Sequence, residues 1–298
     1  MAALGIVGVG KMGANIWRRL NDRGQSALVA DASPATAAVL GAEGATIVAD
    51  AAALAAQCAV VLLSLPTSAE VREVALGPRG LVTRAAPGTL VIDLTSGVPA
   101  ASRAIGAELA ERGIGYVDVG VSGGVEGARN GTLKAMAGGS DADFTAARPI
   151  LDHLAPSLWH CGPVGAGHTV KTLLNQSNQA KLMVELEALL VAAKIGLDPV
   201  LVGQVLDTAV WNHWLFGPDG RTNVGFALAL ACKDFDIALG VAASERVGVP
   251  VAAAAQQALR LACGAAGPDA DLIDTVAVWE RIAGTRIERR TTTKETLA

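Results

Sequence analysis

Short apolar runs recur through the first half of the chain, at Leu4–Val9, Ser26–Asp31, Ala45–Val48, Ala59–Leu65, Leu90–Leu94, Gly115–Val119, Lys134–Ala137 and Leu158–Cys161. Helix-patterned stretches lie between most of them. Alternation of this kind predicts a mostly parallel sheet with helices on both faces. The second half reads differently, with no strand pattern from Gly167 onward. Gly165–Ile195 reads as one long helix, too long for a helix confined to a small domain, and is expected to act as a spine between two domains. Further helices are expected at Asp198–Thr208, Phe226–Val247, Val249–Ala262 and Asp271–Ile282. The tail from Ile287 is polar with mixed charge, and is expected to fray or to pack on a neighbouring subunit.

The first strand runs straight into Gly8-Val9-Gly10-Lys11-Met12-Gly13 and then into a helical pattern. Gly8 allows a tight turn, Gly10 lets the backbone approach a pyrophosphate, and Gly13 lets the helix pack close to the strand. The helix N-terminus offers N–H groups and a positive dipole end to phosphates. The second apolar run ends in Asp31, placed to accept hydrogen bonds from adenosine ribose hydroxyls. Strand, glycine loop and acid agree on a dinucleotide site. The fold class expected is therefore an α/β Rossmann-type N-terminal domain followed by an all-α C-terminal domain, joined by a long interdomain helix. The domains are read as 1–163, for the dinucleotide, and 164–298, for substrate and association. The active site is expected at the carboxyl ends of the strands, where the domains face each other.

Composition narrows the partners. Hydrophobic residues make up 51% of the 298 residues and charged residues 17%, which marks a globular chain. A formal net charge of −4 gives no reason to expect nucleic acid or an anionic membrane. Cys58, Cys161, Cys232 and Cys263 are scattered, with no C-x-x-C pair, so buried free thiols are expected rather than metal or disulfides. No histidine pair stands at ligand spacing, and no metal is expected. Neither a signal peptide nor a membrane span is read, and a cytoplasmic protein is expected.

Two further segments carry chemistry. Asp118-Val119-Gly120-Val121-Ser122-Gly123-Gly124 ends a strand with a hydroxyl and bare backbone N–H groups, a cluster able to hold a carboxylate, or else a glycine-rich turn between two strands. Gly165-Ala166-Gly167 opens the long helix, on which Lys171 and Asn175 stand four apart and share a face. A partly desolvated lysine has its pKa lowered and exchanges protons near neutral pH. A lone lysine of this kind also fits an ordinary exposed helix position.

Taken together, these segments resemble the 3-hydroxyisobutyrate dehydrogenase family of β-hydroxyacid dehydrogenases, which includes tartronate semialdehyde reductases. Further matches are Leu65-Pro66, Asp93-Leu94-Thr95-Ser96 followed by Pro99, Glu187-Ala188, Gly196-Leu197-Asp198-Pro199 and Lys233-Asp234. The resemblance covers most of the chain. It implies an NAD(P)-dependent oxidoreductase acting on a small 3-hydroxy acid or its semialdehyde. It implies Lys171 as general acid/base, Ser122, Gly123 and Gly124 on the substrate carboxylate, and Asn175 orienting the reacting group. Leu65, Pro66, Thr95 and Ser96 would line the nicotinamide side, and Lys233 would reach the cofactor. By analogy with the family, a homodimer or homotetramer is expected. Asp31 favours NAD, because a 2′-phosphate beside it meets like charge; Lys11, Arg18 and Arg19 lie near in sequence and keep NADP open.

Alternatives are an imine reductase-like enzyme and a non-catalytic dinucleotide-binding protein, both of which Lys171 argues against. The family often has proline where this chain has Gly120, a departure expected to loosen the strand end. His168 stands as in 6-phosphogluconate dehydrogenases, where it either meets substrate or packs at the helix start. Trp211, Asn212, His213, Trp214 and Phe216 form an aromatic cluster, read as a packed corner or alternatively as a lid. His153 and His160 read as structural. The pattern leaves hydroxyisobutyrate, glycerate with tartronate semialdehyde, threonate, hydroxybutyrate and β-hydroxy amino acids all open as substrates.

Overall fold

A computed structural model describes residues 4–207, 209–216, 221–267 and 269–289, without the side chains of Ala209, Val210 and Asn212. The chain forms two compact units that divide within one helix, between Thr172 and Leu173.

The first unit alternates strand and helix: β1 (Leu4–Val7), α1 (Lys11–Asp22), β2 (Ala27–Ala30), α2 (Pro34–Ala42), β3 (Thr46–Ile47), α3 (Ala51–Ala55), β4 (Val60–Leu63), α4 (Ser68–Leu76), β5 (Leu90–Asp93), α5 (Pro99–Ala110), β6 (Gly115–Ser122), α6 (Gly124–Asn130), β7 (Lys134–Gly138), α7 (Asp141–Leu151) and β8 (Ser157–Gly162). The strands make one sheet in the order β3-β2-β1-β4-β5-β6-β7-β8. β1 to β6 are parallel, β7 pairs antiparallel with β6, and β8 runs parallel to β7.

Period-two alternation feeds two cores, one on each face of the sheet. Ile6, Leu62, Ile92, Val117 and Val119 pack on one face with Ile16, Trp17, Leu20 and Leu151. Val7, Val61, Leu63, Val91 and Tyr116 pack on the other with Leu54, Val71, Ile105 and Leu109. Because both faces are covered there, the central strands read as continuous apolar runs. The runs at Leu4, Ser26 and Ala59 end as strands two, one and two residues earlier than their apolar character suggests. At the first, Gly8 takes φ +87° and turns the chain out of the sheet.

Helix α8 (Ala166–Ile195) has 30 residues and a length of about 45 Å. The second unit continues with α9 (Pro199–Val205), α10 (Ala209–Leu215), α11 (Leu228–Ser244), α12 (Pro250–Ala266) and α13 (Asp274–Ala283). Its core gathers Leu186, Leu189, Trp211, Leu215, Phe216, Phe235, Leu259 and Val276. One sequence expectation is narrowed here and one changes. The aromatic cluster contains a helix, α10, on which Trp211 is buried, donates to Leu182 O at 3.1 Å and meets Trp214 edge-on, so Trp211 and Phe216 are core rather than lid. Asp271 lies outside a helix: its carboxylate accepts the N–H groups of Val224, Gly225, Phe226 and Ile273, which delays α13 to Asp274, while the backbone bonds Leu228 N–H to Ala270 O and Leu272 N–H to Phe226 O make a short antiparallel bridge between Ala227 and Asp271. No described helix is long and apolar enough to cross a membrane. The described tail runs from Ile287, which is buried, to Arg289, which donates to Phe216 O.

Candidate active site

The glycine loop separates by physical cause. A Cβ on Gly8 would strike Ser64 O, and one on Gly13 would strike Gly8 O, so the fold itself demands both glycines. A Cβ on Gly10 would meet nothing within 4 Å. Gly10 is exposed and is the N-cap of α1, and it places no side chain on the first-turn N–H groups of Lys11, Met12 and Gly13. Open space plus an uncapped, 12-residue helix N-terminus fits a phosphate-bearing ligand.

Asp31 sits just past β2. Its Oδ2 accepts the N–H of Val9 at 2.7 Å and its Oδ1 accepts that of Ser33 at 2.8 Å. The carboxylate is thus fixed beside the glycine loop. The nearby arginines are engaged elsewhere: Arg18 binds Glu43 through two nitrogens, and Arg19 donates to His153 O at 2.9 Å. Thr95 is buried, and its Oγ1 accepts the Leu65 N–H at 3.1 Å, so the β4–α4 and β5–α5 loops are tied together. Pro66 and Ser96 are exposed on these loops.

Ser122 is the last residue of β6, and Gly123 (φ +129°) and Gly124 (φ +65°) are exposed and open α6. The segment is therefore a strand-to-helix junction and not a turn between two strands. A Cβ on Gly120 would collide with Cβ and Cγ of Lys171. The lysine stem therefore lies flat on β6, two residues before Ser122. Gly120 is buried mid-strand and paired with Met136, so this departure from the family does not loosen the strand end. Lys171 is half-buried.

Asp118 places the start of α8. Its Oδ1 accepts Gly165 N–H at 2.6 Å and its Oδ2 accepts His168 N–H at 2.7 Å. Burial pushes this carboxyl above the ordinary range, against the lowering effect of His168 and the two backbone donors. His168 is 1% exposed and is packed inside the first unit. In the second unit, Asn175 donates to Asp234 Oδ2 at 2.7 Å, and Lys233 Nζ lies 3.7 Å from Asp234 Oδ1. Sequence reasoning passed over Asp118 and Asp234 as site residues. For Asp118 the available signal was a carboxylate inside an apolar run, since buried charge has to be hydrogen-bonded.

The other polar candidates are structural. His160 stacks on Phe144 at 4.4 Å, and its Nε2 lies 2.9 Å from Gly139 O. Cys58 is buried, whereas Cys161, Cys232 and Cys263 are half-buried, so burial of all four thiols is corrected to one. No group of three metal-binding side chains occurs among the described residues.

Comparison with known proteins fits this geometry. A family profile described as the NAD binding domain of 6-phosphogluconate dehydrogenase matches residues 3–162. A second, described as "NAD-binding of NADP-dependent 3-hydroxyisobutyrate dehydrogenase", matches residues 165–279. The chain belongs to the 3-hydroxyisobutyrate dehydrogenase family. It is 30% identical to 2-(hydroxymethyl)glutarate dehydrogenase of Eubacterium barkeri, over 95% of this chain and 97% of that one. It is 31% identical to 3-hydroxyisobutyrate dehydrogenase of Pseudomonas aeruginosa, over 88% of this chain and 92% of that one. A solved structure of Mycobacterium tuberculosis 3-hydroxyisobutyrate dehydrogenase with L-serine superposes with a TM-score of 0.83 at 28% identity, covering 94% of this chain and 99% of that one. As a member of this family, the chain is an NAD(P)-dependent 3-hydroxyacid dehydrogenase, an oxidoreductase acting on CH–OH donors.

Proposed function

We propose that the enzyme interconverts a small 3-hydroxy acid and its semialdehyde, with NAD as cofactor and Lys171 as general acid/base. The observation that carries the reading is the seat of Lys171. Its stem lies against Gly120 on the strand that ends in Ser122, so the amine chain and the proposed carboxylate site belong to one strand end. A nicotinamide held there would supply the hydride chemistry at the substrate carbon. Lys171 Nζ takes the hydroxyl proton during oxidation and returns one to the oxygen during reduction. Ser122 Oγ and the N–H groups of Gly123 and Gly124 hold the substrate carboxylate. Asn175, one turn further along α8 and held by Asp234, orients the reacting group.

The cofactor residues proposed are Gly8, Val9, Gly10, Lys11, Met12, Gly13, Asp31, Leu65, Pro66, Thr95, Ser96 and Lys233. One matched profile names an NADP-dependent enzyme. NAD is favoured here because Asp31 is anchored at the end of β2, while Arg18 and Arg19 are committed to Glu43 and His153. Functional domains are proposed as 1–163 and 164–298. Val184, Val191, Ile195, Leu201 and Val205 leave an apolar strip exposed on α8 and α9, which supports association with further copies of the chain. A cytoplasmic site of action completes the reading.

The test is nicotinamide reduction with a panel of 3-hydroxy acids, in NAD and NADP separately, for the native enzyme and for Lys171→Ala. The native enzyme is expected to show one preferred acid. Lys171→Ala is expected to lose about 10²–10⁴ in kcat with near-normal cofactor affinity. Equal loss of turnover and cofactor binding would sink the acid/base assignment.

A further inference from the structure

Five side chains in the first unit form a polar chain through an otherwise apolar interior. Asp93 is 1% exposed, Tyr116 2%, Ser102 2%, His168 1% and Asp118 0%. Tyr116 donates its hydroxyl to Asp93 Oδ2 at 2.6 Å. Asp93 Oδ1 accepts the N–H of Thr95 at 3.0 Å, and Thr95 Oγ1 in turn accepts that of Leu65. On its other side the Tyr116 hydroxyl faces Ser102, whose Oγ lies 2.8 Å from His168 Nδ1. His168 then joins Asp118 through its backbone N–H. One end of the chain is thus the pair of loops proposed for the nicotinamide, and the other is the first turn of α8, three residues before Lys171.

The direction of each bond follows from the donors available. Tyr116 spends its proton on Asp93, so toward Ser102 its oxygen can only accept. Ser102 donates to Val98 O at 3.3 Å, which leaves its oxygen to accept from His168. That assigns the imidazole proton to Nδ1, which also lies 3.9 Å from Asp118 Oδ2. Nε2 then carries only a lone pair, and it has no partner among the described residues. The side-chain bonds therefore stop at His168, whose link to Asp118 is through its backbone N–H, and the chain is no proton wire to solvent. Its bonds have fixed lengths and directions in a medium where a broken one is costly. Apolar side chains of the same shape would hold the layers together but would leave their spacing less defined.

We propose that Tyr116, Ser102 and His168 are positioning residues that set the distance between Lys171 and the Leu65/Thr95 loops. The proposal rests on the reading of Lys171 as the acid/base. In that reading hydride and proton leave neighbouring atoms of one substrate, and a misplacement of about 1 Å costs about a hundredfold in rate.

The test compares Tyr116→Phe, His168→Leu and His168→Asn in the full-length enzyme, with Lys171→Ala alongside. Read-outs are kcat, KM for the hydroxy acid, and the dissociation constant of the reduced cofactor by fluorescence titration. Tyr116→Phe and His168→Leu are expected to lower kcat by about 10- to 100-fold with cofactor affinity within about threefold of native. His168→Asn keeps an N–H at the place of Nδ1 and is expected to recover most of the loss. A kcat within twofold of native for Tyr116→Phe, an Asn variant no better than Leu, or parallel loss of kcat and cofactor affinity would each overturn the proposal. If His168→Leu does not fold, Tyr116→Phe decides, since it removes one oxygen. Should Lys171→Ala keep native turnover, the functional reading falls and this proposal with it; loss in Lys171→Ala with native rates in the other variants defeats this proposal alone.

Discussion

Replacing Gly167 by alanine tests how α8 is held. The added Cβ would stand inside 3.0 Å of Asp118 O and Met136 O, and 2.8 Å from Gly138 N. All three are backbone atoms, and Asp118 and Gly138 are paired across β6 and β7, so none of them can swing away. Ordinary contact begins near 3.4 Å, so the start of the helix has to lift by about 1 Å. The same lift stretches the bonds from Gly165 N and His168 N to the buried Asp118 carboxylate, now 2.6 and 2.7 Å, past hydrogen-bond range. Overpacking costs about 1–3 kcal/mol, and weakening bonds to a charged group adds about 1–2 more. A total of about 2–4 kcal/mol corresponds to a fall in Tm of roughly 5–15 °C for a domain of this size. Lys171 begins one turn along the helix, so about a hundredfold loss of kcat accompanies it. Thermal unfolding by circular dichroism and steady-state kinetics on the preferred hydroxy acid measure both. A Gly167→Ala variant with native Tm and kcat within threefold would refute the claim that this glycine seats the helix.

Gly10→Ala is the contrasting case. Nothing lies within 4 Å of the new Cβ, so Tm should stay within about 1 °C while cofactor affinity falls at least tenfold; unchanged affinity in a titration would remove Gly10 from the cofactor site. Asp31→Ala should erode the NAD to NADP ratio of kcat/KM by about tenfold or more, and an unchanged ratio would refute the role given to Asp31. Cys58 is a matter of pH. Burial raises its thiol to about 11, so the neutral form persists at pH 8 and thiolate appears only as pH climbs toward that value. Mass-spectrometric labelling of the native protein at pH 8 should find Cys58 roughly a hundredfold slower than a free peptide thiol. Labelling at the peptide rate would mean that the site opens.

Periodicity and glycine placement determine a great deal by themselves. Strands buried on both faces, such as β1 and β4, must be apolar throughout, and the eight runs read from the chain appear as the eight strands of the sheet, the edge strands β3 and β8 being exposed in part. The glycine loop is legible because Gly8 and Gly13 answer to backbone geometry that no other residue satisfies. The long helix is legible from its unbroken helical pattern. Tertiary structure decides the rest because the deciding contacts join residues far apart in sequence. Asp118 reaches Gly165 and His168, Tyr116 reaches Asp93, and Asn175 reaches Asp234; a local pattern carries no information about such partners. α10 is not legible because its seven residues are too short for periodicity to register, and packing of Trp211 rather than propensity fixes it. Gly120 is the sharpest case. In sequence it is a lost proline; in the fold it is the flat place on β6 where the Lys171 stem lies, because only a residue without a Cβ lets the helix come that close.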